Sequence, residues 1–343
     1  MKTLAIETSC DDTSLGIISQ QEGVFTVEKL IAYSQIKEHN QYGGVLPEIA
    51  SRLHSEKIVA LLQEIGRKEI EDVDFISVTA EPWLPWSLIV GKSAATLLSA
   101  YFQKPLKNIH HILGHMFSLL IERKKSDLSF PLVVLTASGG HNDLYLIQTK
   151  PLEERIPTFR LQDLFIYKIG YTLDDASGES FDKVSKMLWG PYPWGPRISE
   201  QASKSQWNEQ FAFKRIFLPL KDDGLFEFSF SGMKSQVSIL LEKLHKEGKI
   251  LTETDIQDIA YEFQEATIET LWKRLLKAAQ WYGAKMIGMA WGVSANERLI
   301  QYLQTVIAWR KIDDEPLQLI YPKKKLYSTD NAAMIGVVGL MSE

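Results

Sequence analysis

The stretch "TLAIETSCDDTSLGIIS" (residues 3–19) decides the fold. A short apolar run over 3–9 is bounded by turn-forming residues, and a second run follows over 14–19. Such runs read as buried strands. Between them Asp11 and Asp12 sit among Thr8, Ser9 and Thr13. Acids and hydroxyls of this kind form β-turns on their own account. They also offer a carboxylate at a hairpin tip, where a phosphate or a metal could be met.

Moving outward, a third strand is expected over 24–36, an amphipathic helix over 47–67, a strand over 74–80, a helix over 87–103 and a short strand near "KNIHHI". The order then begins again. Strands are expected over 131–138 and 143–149, with a third near "FRLQDLFIYK". A long helical pattern covers 254–283, followed by strand 284–290, helix "ANERLIQYLQTVIAW", strand "LQLIYP" and helix "DNAAMIGVVGLM". Two rounds of three strands followed by alternating helix and strand suggest two related α/β domains around a cleft. The crossovers favour partly parallel, buried sheets. A single large α/β domain fits the periodicity as well.

The 343 residues are enough for two domains. An apolar content of 45% and a charged content of 24% are those of a globular protein. No apolar run is long enough to span a bilayer, and the opening lacks a signal-peptide pattern, so a cytoplasmic protein without membrane association is expected. One cysteine, Cys10, rules out an intrachain disulfide. The net charge of −5 gives no general attraction to nucleic acid. Basic clusters around Lys124 ("ERKKSD") and Lys324 ("YPKKKLYS") read first as solvated faces and second as phosphate sites.

Four stretches could carry chemistry. "HHILGH" places His111 and His115 four apart, on one face if helical, as a bidentate metal site requires. The residues between are Ile112, Leu113 and Gly114, so the glutamate base of a zinc protease is absent. "TASGGHNDL" (136–144) joins two strands through Ser138, Gly139 and Gly140. It is either a plain hairpin turn or an anion-binding one. "WGVSANERL" (291–299) joins a strand to a helix N-terminus, a natural anion site at which Ser294 could be the cap. "TLDDASGESFDKVSK" (172–186) opens a helix with acids that suit its dipole.

Taken in order, "IETSCDDTS", "YGGVLPEIASRLH", "HHILGH", "SGGH", "LDDASGESFDKVSKML", "FSFSGMK", "GVSAN" and "STDNAAMIG" resemble the TsaD family of tRNA adenosine threonylcarbamoyltransferases. The resemblance covers nearly the whole chain. It implies the duplicated actin/Hsp70/sugar-kinase fold, with residues 1–109 plus about 328–343 forming one subdomain and 110–327 the other. His111, His115 and Asp330 match the family's metal ligands, for one divalent ion, iron first and zinc second. Thr136, Ala137, Ser138, Gly139, Gly140, Asp182, Gly195 and Asn296 match positions that hold threonylcarbamoyl-AMP, and Asp11 matches an aspartate needed for transfer. The implied reaction moves the threonylcarbamoyl group to N6 of adenosine 37 in tRNAs reading codons that begin with A. The implied partners are a TsaB-like paralogue and a TsaE-like P-loop ATPase, with a TsaC-type enzyme supplying the adenylate. A TsaB-like assembly subunit, an inactive paralogue of the family and a sugar or acetate kinase are the competing readings.

This chain departs from the family pattern in two ways. Leu113, Asp12 and Ser199 stand where Glu, Glu and Asp are frequent. Trp83, Trp86, Trp189, Trp194 and Trp291, five of the nine tryptophans, fall on motif glycines, and Glu81 on another. Replacements of one kind in otherwise intact motifs point to a gene in which UGA encodes glycine, rendered here as tryptophan. The rival is a genuine tryptophan-bearing scaffold, with Glu81 counting for divergence. Tryptophan at 194 and 291 is expected to obstruct the nucleotide loops.

Overall fold

A computed structural model describes residues 1–42, 44–189, 195–207, 211–212, 218, 223–293, 296–312 and 314–342. The chain divides into two compact units, Met1–Ser129 with Arg160–Leu164 and Ile320–Glu343, and Phe130–Phe159 with Phe165–Leu319. The chain starts with β1 (Lys2–Glu7), β2 (Asp12–Gln21), β3 (Val24–Ser34), α1 (Ile36–His39), α2 (Pro47–Ile65), α3 (Arg67–Glu71), β4 (Phe75–Glu81), α4 (Pro85–Phe102), β5 (Leu106–His110) and α5 (His111–Phe117). Next come β6 (Leu132–Ala137), β7 (Asn142–Gln148), β8 (Phe159–Leu161), β9 (Leu164–Tyr171), α6 (Ser177–Trp189), α7 (Gly195–Ala202), α8 (Ser231–Lys246), α9 (Glu253–Trp281), β10 (Met286–Ala290) and α10 (Glu297–Ile307). The hairpin β11 (Lys311–Ile312) and β12 (Glu315–Pro316), then β13 (Gln318–Ile320) and α11 (Ala332–Met341), complete it.

In the first unit five strands run in the order β3-β2-β1-β4-β5. β1 pairs antiparallel with β2 and parallel with β4, so it is the central strand. Leu4, Ala5 and Ile6 are all fully buried, which requires a helix layer on each face. Leu4, Ile6, Leu15 and Ile17 pack on Ile58, Leu61 and Ile65 of α2 and Ala95 of α4. The opposite face takes α11, every residue of which is buried. Gly336 makes that approach possible, because a Cβ there would collide with Ile18 and press on Ala5. Each such Leu or Ile contributes about 1.5–3 kcal/mol by burial.

The second unit's sheet runs β13-β10-β6-β7-β9-β8. β6 is parallel to β10 and antiparallel to β7, repeating the mixed pattern of the first sheet. The long α9 begins with a capping box between Thr252 and Asp255.

The expected elements differ from the observed ones in a few places. The helix expected from residue 87 starts at Pro85, whose fixed φ suits the first helical position. The strand expected near "FRLQDLFIYK" is two, β8 and β9, separated by a turn with Gln162 at φ 53°. The hairpin β11–β12 gave no periodic signal in its two-residue strands. Residues 110–129, 160–164 and 320–327 fall in the first unit, whereas the sequence predicts 110–327 in the second domain. The reason is α5, which packs on α11 through Gly114 against Met334 and Ile335. Among the described residues no helix is long and apolar enough to cross a membrane.

Candidate functional site

The β1–β2 turn is pinned from α2. The Nε2–H of His54 donates to the Cys10 carbonyl (2.9 Å), and its Nδ1 accepts from the Thr13 hydroxyl (2.7 Å). Burial holds the pKa of this imidazole below its ordinary value, which keeps it in the neutral form these bonds need. The turn therefore presents Asp11 and Asp12 from a fixed backbone. Burial raises the Asp11 carboxyl. Burial, opposed by a Ser34 bond and reinforced by Asp11 and Asp330, pushes Asp12 up to about 7. Its Oδ1 is buried with no hydrogen-bond partner among the described residues.

His111 and His115 lie one turn apart on α5, fully buried. Asp330 directly precedes Asn331, the N-cap of α11, whose side chain accepts from the Met334 N–H. The Ala332 N–H donates to Ser14 Oγ of β2, fixing where α11 begins. These two anchors bring Asp330 Oδ1 to 3.0 Å from His115 Nε2 and 3.6 Å from His111 Nε2. The two Nε2 atoms are 3.0 Å apart. A triangle with these edges has a circumscribed radius of about 1.9 Å, so a point about 2.1 Å from all three atoms, an ordinary metal–nitrogen distance, exists. Two imidazole nitrogens and a carboxylate oxygen converge on that point, which is a donor set that fits a divalent metal.

Glu7 completes the centre and was not singled out in the sequence. It is fully buried at the end of β1, and its Oε2 lies 3.2 Å from His111 Nδ1. Thr79 Oγ1 donates to the same oxygen (2.5 Å), and the Ser9 N–H donates to Oε1 (2.5 Å). A carboxylate on Nδ1 fixes the tautomer that directs the Nε2 lone pair at the common point. The signal was present: one acid at an inward position of an otherwise apolar central strand. Burial opposes charge on His111, but Asp330 and Glu7 raise its pKa on balance, whereas burial and His111 push His115 down to about 4.

In the second unit, Thr136 and Ala137 end β6, and Ser138, Gly139 and Gly140 form the turn to β7. Ser138 Oγ accepts from the N–H groups of Gly140 (3.1 Å) and His141 (3.0 Å). The N-terminus of α6 sits against this turn, with the Gly178 N–H donating to the Ser138 carbonyl (3.2 Å). A Cβ at Gly178 would lie 2.5 Å from that oxygen and 2.7 Å from Gly139 Cα. Asp182 lies on α6 and Gly195 opens α7. Asn296, not the undescribed Ser294, is the N-cap of α10, accepting from the Arg298 and Leu299 N–H groups. Its Nδ2 donates to Ser199 Oγ of α7 (3.0 Å) and to Gln264 Oε1 (3.1 Å). Asn296 and the helix opened by Gly195 are thus tied together through Ser199.

The tryptophans differ among themselves. Trp291 is buried with φ +77°, a backbone conformation natural to glycine and an outlier for a bulky residue. Trp83 stands edge-on to His111, ring centroids 5.8 Å apart. Trp86 is exposed on the first turn of α4. Trp189 ends α6, and Trp194 lies outside the described residues.

Fold and centre together define a class: an actin/Hsp70/sugar-kinase-type α/β protein with a His-His-Asp triad able to hold a metal. A likeness of fold alone is seen with the activator of 2-hydroxyisocaproyl-CoA dehydratase from Clostridium difficile, at TM-score 0.52 and 11% identity over 99% of this chain and 96% of that one. The chain belongs to the TsaD family, tRNA N6-adenosine threonylcarbamoyltransferase, whose profile matches residues 26–337. The tRNA N6-adenosine threonylcarbamoyltransferase of Staphylococcus aureus (strain Newman) is 37% identical over 98% of this chain and 90% of its own length. That of Bacillus subtilis (strain 168) is 36% identical over 100% and 90%. The chain is therefore a transferase of tRNA modification, forming threonylcarbamoyladenosine.

Proposed function

We propose that the first unit's centre carries out the transfer as follows. Threonylcarbamoyl-AMP is held by Thr136–Gly140, Asp182, Gly195 and Asn296, with the Ser-Gly-Gly turn set against its phosphate. His111, His115 and Asp330 hold one divalent ion, iron first and zinc second. When bound, that ion supplies Lewis-acid stabilisation of the charge developing on carbonyl and phosphate oxygens. N6 of adenosine 37 attacks the carbamoyl carbon, the bond from that carbon to the phosphate oxygen breaks, and AMP leaves with the electron pair. Asp11 takes the proton the amine loses, a role suited to a carboxyl whose pKa burial raises. Glu7 holds His111 in its ligating tautomer.

The observation that carries this reading is the meeting of three ligating atoms from residues 215 apart in sequence. A TsaB-like subunit, a TsaE-like ATPase and a TsaC-type supplier are part of the proposal, as is a cytoplasmic setting. An exposed apolar stripe on α4, with Ile89 50%, Leu97 71% and Tyr101 67% exposed, supports a protein partner. The test is reconstitution with these partners, threonine, bicarbonate, ATP and tRNA. Threonylcarbamoyl should appear on wild-type tRNA and not on tRNA with guanosine at position 37. Modification of both, or of neither, would refute the reading. Trp291 favours one qualification: in the chain as written its loop is strained, and glycine at 291 is the form fitted to the nucleotide.

A further inference from the structure

Two basic runs nearly two hundred residues apart in sequence meet in the first unit. Arg123 Nη1 donates to the carbonyls of Leu119 (2.8 Å) and Tyr321 (2.9 Å). Lys323 Nζ donates to the Glu122 carbonyl (2.6 Å). Lys324 and the Tyr327 hydroxyl both bind Glu122 Oε1, at 2.6 and 2.7 Å. Backbone carbonyls and the Glu122 carboxylate thus bring Arg123, Lys323 and Lys324 together, with Lys124, Lys125 and Lys325 next to them in sequence. The two runs carry six cations against Glu122 and Asp127 in sequence, with Asp163 bonded to Lys125, on a chain whose net charge is −5. Lys124, Lys323, Lys324 and Lys325 are exposed. Gathering like charges is unfavourable unless an anion is there to meet them.

The position of the patch narrows the anion. Lys325 opens the short 3-10 turn Lys325–Ser328, whose Tyr327 and Ser328 are buried, and Asp330 follows at once. Five residues of chain span at most about 18 Å. The Lys325 end of the patch therefore lies within that distance of Asp330, close enough for a polyanion the size of a folded RNA to reach both. The substrate is such a polyanion. We propose that this composite basic patch docks the phosphate backbone of tRNA, an inference that rests on the transfer reading above. An acidic face of a protein partner is the competing occupant, but its attachment would not require closeness to the metal ligands.

The test uses the full-length chain and a tRNA transcript, with Lys124→Gln/Lys325→Gln, which leaves the Arg123, Lys323 and Lys324 anchors intact, and the triple variant adding Lys323→Gln. The triple variant should weaken tRNA binding about tenfold near 100 mM salt and reduce the slope of log affinity against log salt by about 2. The double variant should do about half as much. Lysine-to-arginine versions should retain wild-type binding, and melting temperature and metal affinity should be unchanged throughout. Equal tRNA affinity and salt slope in wild type and variants would overturn the patch while leaving the transferase intact. So would loss of binding to a purified TsaB-like subunit with tRNA binding preserved. A wild-type chain that binds no tRNA, alone or with that subunit, would sink the patch and the transfer reading together.

Discussion

The two regions proposed to carry the chemistry are built on different terms. The metal triad consists of side chains, each set by buried neighbours: His111 by Glu7 and Ser9, Asp330 by the cap of α11, and the acidic turn by His54. The loops proposed to hold the nucleotide offer largely backbone. A Cβ at Gly139 or Gly292 would meet nothing within 4 Å, whereas Trp291 bends its backbone into glycine's region. A side-chain site fails when a ligand is removed. A backbone site fails when a side chain is added. Trp83 thus stands beside the triad with its three ligating atoms still converged, while Trp291 strains its own loop.

The harshest way to break this contrast is to delete a ligand. His115→Ala should remove metal binding and lower transfer about a thousandfold, the loss of several kcal/mol of charge stabilisation. Wild-type metal content in the purified variant would show that the triad is not the metal site. Next in size is the support behind the ligand. Glu7→Gln should weaken metal affinity about 10- to 100-fold, read by competition with a chelating dye, with the fold retained. An unchanged affinity would mean that Ser9 alone orients His111.

The loop side is probed by Trp291→Gly against Trp291→Ala. Relief of left-handed strain is worth about 1–2 kcal/mol, so glycine should improve adenylate affinity about tenfold, measured by calorimetry. Alanine removes the indole but keeps the strained φ, and should recover less. Equal gains would assign the defect to volume and not to backbone. The codons at 83, 86, 189, 194 and 291 bear on the same point, since UGG at all five would remove the recoding explanation.

The smallest effect concerns Asp12. Its folded pKa of about 7 lies above the ordinary carboxylate value of 3.8. Between those values the folded state binds more protons than the unfolded, so stability falls as pH rises from about 4 to 7. In chelator-treated protein Asp12→Asn should remove this slope and be more stable than wild type at pH 8, by denaturant titration. A wild-type profile flat across that window would disprove the strain at Asp12.

The sequence shows the sheet strands because Leu4–Ile6, Leu15–Ile18 and Val133–Leu135 are apolar runs with marked ends, and the His pair because four residues define one helical face. Asp330 joining that pair is legible only through resemblance, since no local pattern encodes a contact made across the fold. Glu7 passed unremarked because a single acid in a strand says nothing until the imidazole facing it is known. Ser294 was the reasonable cap for α10, yet Asn296 takes the role because the helix begins one residue beyond it. The meeting of the two basic runs depends on Arg123 reaching Tyr321, which neither run announces.

The separation of His115 from Asp330 also has a meaning in time. The ribosome makes Asp330 215 residues after His115, which at about 5–20 residues per second is about 10–40 s later. Through that interval the nascent sheet has one face covered by α2 and α4 and the other bare, because α11 does not yet exist. The second unit is synthesised within the same interval. The segment that closes the sheet is the one that supplies the last ligand, so a three-coordinate ion can be held only by a chain whose synthesis has passed residue 330. Loading of the proposed metal site would thus report that synthesis has passed residue 330.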